Sequence, residues 1–276
     1  MNPSDRPGPE GVEDVLRRAA EEGRAALIGY LPVGFPDVPA SIEAMKALVA
    51  GGVDLVEIGI PYSDPLMDGP VIQHAAEVAL RGGTRTADVL TAVRAVREAG
   101  APALVMTYWN IVDRYGVDRF AQDLAAAGGA GLITPDLIPD EGADWIEAAQ
   151  RHGLDRVFLV APSSTDERLR STTAACTGFV YAASTMGVTG ARASVGPRAH
   201  ELVERTRKVC DLPVCVGLGV STGEQAAQVA GYADGVIVGS AFVKALSSGP
   251  DLAAGLLAVR ALAEELALGV RRGVEQ

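Results

Sequence analysis

Eight short apolar, often β-branched runs recur along this chain, and longer Ala/Leu/Arg-rich stretches alternate with them. The runs cover 25–31, 55–59, 103–107, 131–134, 156–160, 178–182, 213–217 and 235–238. Helical patterns fall at 38–50, 72–80, 87–99, 117–127, 141–151, 166–174, 198–208 and 222–229, and a last one runs through 252–268. Strands that alternate with helices specify parallel βαβ units, because each crossover returns the chain to the same edge of the sheet. Eight such units in about 250 residues match a closed (β/α)8 barrel. An open doubly wound sheet is the runner-up, disfavoured because no Gly-x-Gly-x-x-Gly follows the first strand.

A weak internal echo supports the barrel. The segments Ala50-Gly51-Gly52-Val53-Asp54-Leu55-Val56, Ala127-Gly128-Gly129-Ala130-Gly131-Leu132-Ile133 and Ala230-Gly231-Tyr232-Ala233-Asp234-Gly235-Val236-Ile237 share one grammar. In each, a helix ends on glycine, a short turn follows, and a buried strand begins. There is no linker or low-complexity tract, so one domain is expected over 1–276.

Charge and cysteine usage narrow the function. The net charge of -11 leaves no basic patch, which disfavours nucleic acid and anionic membrane surfaces as partners. Cys176, Cys210 and Cys215 are odd in number and lack Cys-x-x-Cys spacing, so neither disulfides nor a structural zinc site are expected. Residues 1–11 are polar and Pro/Gly-rich, unlike a signal peptide, and are expected to form a flexible tail. No apolar run reaches the ~18 residues needed to span a bilayer, so a cytoplasmic protein is expected.

Barrels place their chemistry on the loops after the strands. The second strand carries one acid, Glu57, and the loop after it, Ile60-Pro61-Tyr62-Ser63-Asp64-Pro65-Leu66-Met67-Asp68-Gly69, ends in another, Asp68. A carboxylate in a buried strand is expensive unless it is paired or used. Two acids converging on one pocket suit general acid–base chemistry. After strands six, seven and eight come Ser184-Thr185-Met186-Gly187-Val188-Thr189-Gly190, Gly217-Leu218-Gly219-Val220-Ser221 and Val238-Gly239-Ser240. Three consecutive glycine-rich loops feeding helix N-termini present main-chain N–H groups to a phosphate.

The remaining residues limit the reaction class. None of the lysines, Lys46, Lys208 and Lys244, ends a strand, which leaves a Schiff-base mechanism without a nucleophile. His74, His152 and His200 fall in helical segments without metal-ligand spacing, so no metal site is expected. What remains is a phosphorylated substrate handled by two carboxylates.

With these motifs, the chain resembles the α subunit of tryptophan synthase. The resemblance runs from about Ala25 to Leu246 and rests on Val56 to Gln73, Gly187-Val188-Thr189-Gly190 and Gly239-Ser240. It implies a (β/α)8 TIM barrel with an extra N-terminal helix that cleaves indole-3-glycerol phosphate to indole and glyceraldehyde 3-phosphate. It also implies a β-subunit partner in an αββα assembly; that partner carries pyridoxal phosphate, and this chain needs no cofactor of its own. By motif, Glu57 would be the general acid–base, Asp68 would hold the indole N–H, and Tyr181 would orient Glu57 or the substrate. Thr189 would close the strand-six loop, and Gly190, Gly219, Gly239 and Ser240 would bind phosphate. Tyr30, Met106, Ile133 and Leu137 would wall the indole, while the Tyr62–Pro65 loop and Asn110 would face the β subunit. The departures from the family pattern are Met67, Phe35 and the lone proline of Leu137-Ile138-Pro139. A self-sufficient lyase that releases free indole and a non-catalytic activator of a β subunit are the alternatives.

Overall fold

The computed structural model describes residues 11–183, 197–217 and 219–272. Eight parallel strands close on themselves in sequence order: β1 Ala26–Pro32, β2 Leu55–Gly59, β3 Ala103–Met106, β4 Gly131–Thr134, β5 Asp155–Val160, β6 Val180–Ala183, β7 Val214–Gly217 and β8 Gly235–Val238. Closure is direct, with Ala26 to Gly29 of β1 in register with Gly235 to Val238 of β8.

Around them lie α1 Val12–Glu21, α2 Val38–Ala50, α3 Pro70–Arg81, α4 Thr86–Glu98, α5 Trp109–Tyr115, α6 Val117–Ala126, α7 Ala143–His152, α8 Asp166–Ala175, α9 Pro197–Arg207, α10 Gly223–Ala230, α11 Ser240–Leu246 and α12 Leu252–Arg272. Several start where the sequence supplies a cap. The side chains of Asp37, Thr165 and Thr222 accept from the main-chain N–H three residues on, which satisfies donors that the first helical turn leaves unpaired. Two short helices, α5 and α11, add to the eight crossover patterns read from the sequence.

The strands divide two cores. Outward side chains such as Val56, Ile58 and Val105 pack with the helices, including Met45, Leu48 and Val93. Inward side chains form a second cluster: Ala26, Ile28, Leu55, Leu104, Ile133, Val157, Phe179, Cys215 and Ile237. Val12, Leu16 and Ala19 of α1 join that inner cluster, recurring at the spacing of one helical face. Leu16 lies beside Asp155 and Gly178, where β5 and β6 begin, so α1 closes the N-terminal end of the barrel. The opposite end, where the strands finish, is left for chemistry.

Two of the three sequence echoes share a structural anchor. Asp54, just before β2, accepts from the main-chain N–H of Leu27 at 2.8 Å and pairs with Arg24 through two contacts. Asp234, just before β8, accepts from Val214 N–H at 2.8 Å and pairs with Arg207. Each aspartate fastens the start of its strand to a neighbour, which fixes the register on which the mouth of the barrel depends.

Candidate active site

The alternation of β2 turns Glu57 inward. Leu55, two residues earlier, belongs to the inner cluster, whereas Val56 and Ile58 belong to the outer one. The side chain is fully buried, and neither carboxylate oxygen has a hydrogen-bond partner among the described residues. Burial raises the carboxyl from its ordinary 4.5 to about 8, because an ion there would lose its hydration without compensation. Glu57 is therefore neutral at pH 7 and holds a proton it can give.

Two tyrosines face it. Tyr30 of β1 is the register partner of Glu57, and Tyr181 lies on β6. Both hydroxyls hold their protons well beyond the ordinary tyrosine range, chiefly because of burial and also because of the charge of Glu57. Each ring crosses a glycine on the next strand. A methyl group on Gly59 would overlap the Tyr30 hydroxyl and lie 2.7 Å from Cζ; one on Gly217 would overlap the Tyr181 hydroxyl and lie 2.9 Å from Cε1. These glycines leave room for aromatic rings at the barrel mouth.

Asp68 stands on the β2–α3 loop. Burial raises its carboxyl from the ordinary 3.8 to about 6, and a hydrogen bond from Tyr108 opposes the rise. The Tyr108 hydroxyl also accepts from the main-chain N–H groups of Leu66 and Met67, each at 3.1 Å. One phenol thus pins the loop and supports the acid at its end. Its ring packs on Tyr62 with centroids 5.0 Å apart, and Asn110 reaches the Tyr62 hydroxyl at 3.5 Å. Asp68 does not cap α3: the N-cap position is Gly69, and no side-chain cap hydrogen bond forms there. Instead, the Asp68 carbonyl accepts from Gln73 at 2.7 Å. Tyr108 was not among the candidate residues; its place directly after β3, on a loop at the catalytic end, was the signal for it.

On the far side of Tyr30 lies the candidate phosphate region. Gly239 is the N-cap of α11, and Ser240, its first residue, is buried. Gly219, on the β7 loop, has φ of +70°, a conformation glycine adopts without strain. A methyl group on Gly239 would lie 3.1 Å from Tyr30 Cδ1, so this loop and Glu57 border the same ring. Thr189 and Gly190 lie outside the described residues. Met106 and Ile133 are register partners on β3 and β4 that pack in the inner cluster. Leu137 packs instead with the outer layer. Among the described residues no group of three or more His, Cys, Asp or Glu side chains could hold a metal ion, and no helix is long and apolar enough to cross a membrane.

The site brings together a neutral buried acid, a second carboxyl that ionises near pH 6, and a helix start across the mouth. Residues 16–269 match the family model described as tryptophan synthase alpha chain. The chain is 64% identical over 258 residues to the tryptophan synthase alpha chain of Mycobacterium avium, covering 94% of this chain and 93% of that one. It is 64% identical to the same subunit of Streptomyces coelicolor, covering 94% and 96%. A solved structure of Mycobacterium tuberculosis tryptophan synthase superposes with a TM-score of 0.90 at 61% identity, over 95% of this chain and 99% of that one.

Proposed function

We propose, on the premise that this chain belongs to the tryptophan synthase alpha chain family, that Glu57 is the proton carrier of its reaction and Asp68 the anchor of the indole ring. The chain is the lyase subunit that cleaves indole-3-glycerol phosphate in tryptophan biosynthesis. The observation that carries the assignment of roles is the Glu57 carboxyl, wholly buried, unpartnered among the described residues and neutral up to about pH 8.

Protonated Glu57 gives its proton to C3 of the indole, and the ring becomes cationic. Asp68, ionised above about pH 6, accepts the indole N–H and stabilises that charge as it grows. The Glu57 carboxylate then takes the proton of the hydroxyl next to the scissile bond. The C–C bond breaks, its electron pair returns to the ring, and the hydroxyl carbon leaves as the aldehyde of glyceraldehyde 3-phosphate. The proton on C3 stays with indole, and Glu57 is restored. Main-chain amides of Gly190, Gly219, Gly239 and Ser240 hold the phosphate, and Thr189 has the role of closing the loop after β6. Tyr181 orients Glu57 or the substrate, while Tyr30, Met106 and Ile133 wall the ring.

The partner is a pyridoxal-phosphate-dependent β subunit in an αββα assembly, docked on the mouth loops. Leu66, 74% exposed, and Ile138, 42% exposed, are the apolar side chains those loops present to it. Indole release from indole-3-glycerol phosphate by wild type and Glu57→Gln, with and without β subunit, tests both points. A loss of ~10²–10⁴-fold in kcat with glycerol phosphate still bound is expected. Large activation by the β subunit supports the two-component enzyme, whereas full activity alone supports a self-sufficient lyase. Wild-type turnover by Glu57→Gln overturns the assignment.

A further inference from the structure

The ring of Tyr30 lies between two glycines on the strands that flank β1. Gly59 ends β2 on one side, and Gly239 follows β8 on the other. A methyl group on the first would overlap the hydroxyl, while one on the second would lie 3.1 Å from Cδ1. The side chain therefore leans across the end of β2, with its hydroxyl over the Gly59 main chain. Glu57 is two residues earlier on the same inward face, and Asp68 stands on the loop that continues β2. After burial, the charges of Asp68 and then Glu57 do most to make the Tyr30 hydroxyl less acidic than an ordinary tyrosine, which places it near both acids. The Glu57 oxygens have no hydrogen-bond partner among the described residues. A neutral acid tolerates that environment; the carboxylate left after proton donation does not.

We propose that Tyr30 is a positioning residue whose hydroxyl donates a hydrogen bond to the Glu57 carboxylate as its proton leaves for the substrate, and so sets how readily that proton is given. The proposal rests on Glu57 being the proton carrier. Tyr30 keeps its own proton throughout; the only transfers are those between Glu57 and the substrate. The titratable groups that sense Glu57 are Tyr30 from β1, Tyr181 from β6 and Cys215 from β7, while Asp68 from the β2 loop and Tyr108 from the β3 loop stand beside Tyr30. Asp68 is an acceptor above about pH 6, and Tyr108 is engaged with Asp68 and with the N–H groups of Leu66 and Met67. The Tyr181 hydroxyl lies over Gly217 on β7, whereas Tyr30 is on the strand next to Glu57.

Tyr30→Phe keeps the ring and removes only the donor. In the full chain, kcat/KM measured from pH 6 to 10 should show the high-pH limb moving up by about one pH unit relative to wild type, because a hydrogen bond to the charged form has been lost. At pH 7, kcat should fall by about tenfold with KM within about twofold, since a weaker acid gives its proton less readily. An unmoved limb overturns the proposal, whether or not kcat falls, and so does a change confined to KM, which would leave the ring as wall alone. Glu57→Gln is assayed alongside. If it is inactive and the Tyr30→Phe limb is unmoved, only this proposal fails; if it turns over at the wild-type rate, the role of Glu57 fails first and takes the proposal with it.

Discussion

Glu57→Gln should stabilise the folded chain relative to wild type, increasingly so as pH rises, while cutting turnover by ~10²–10⁴-fold. Below about pH 4.5 the carboxyl is neutral in folded and unfolded chains alike. Above that, the unfolded chain ionises while the buried group keeps its proton up to about pH 8. Folding then takes up one proton, and stability falls with rising pH by about 1.4 kcal/mol per pH unit. From 4.5 to about 8 the loss reaches roughly 5 kcal/mol, complete above the folded-state value, a large share of the ~5–15 kcal/mol typical of a native protein. Glutamine has nearly the same shape and no titration, so whatever its amide costs is independent of pH. The contribution of Asp68 is common to both chains and cancels in the difference. Urea unfolding at pH 5, 6, 7 and 8, followed by circular dichroism and by fluorescence to verify a single transition, gives the difference directly. The gap between the chains should move in favour of Glu57→Gln by several kcal/mol between pH 5 and pH 8. Parallel stability curves would refute the reasoning, because they would mean that Glu57 is hydrated or paired in the folded state.

In wild type, kcat/KM should follow a bell, rising through about pH 6 as Asp68 ionises and falling above about pH 8 as Glu57 loses its proton; a flat profile from pH 7 to 9 would remove the protonated acid from the mechanism. Tyr108→Phe should move the low-pH limb upward, since its hydrogen bond holds Asp68 down. The substrate phosphate also titrates near pH ~6 and would not follow that substitution, so an unmoved limb would assign it to the phosphate. Gly239→Asp should weaken glycerol phosphate binding by at least about tenfold through like charge and crowding beside Tyr30; unchanged affinity would count against the α11 site.

Much of the barrel was legible because buried parallel strands write themselves as short apolar runs. The expected 55–59, 131–134 and 235–238 coincide with β2, β4 and β8, and 38–50 with α2, whose Asp37 cap is local. The helix α5 was missed for a physical reason. It spans seven residues, and its first N–H is taken by the Asp136 carboxylate at 2.9 Å, a cap supplied from the β4 loop. Glu57 was legible as a charge inside an apolar strand. Tyr108 was not, because its three partners, Leu66, Met67 and Asp68, come from another loop. Gly59 and Gly217 read as strand ends; that each clears a tyrosine on the preceding strand follows from register, which sequence spacing alone does not carry.

The account depends most on the protonation of one side chain. The carbon-13 signal of the Glu57 carboxyl, assigned by its loss in Glu57→Gln, can be followed from pH 4 to 10. A midpoint near 8 is expected from its burial without a partner. A midpoint near 4.5 would show an ordinary ionised glutamate at pH 7, unable to begin the cleavage by giving a proton.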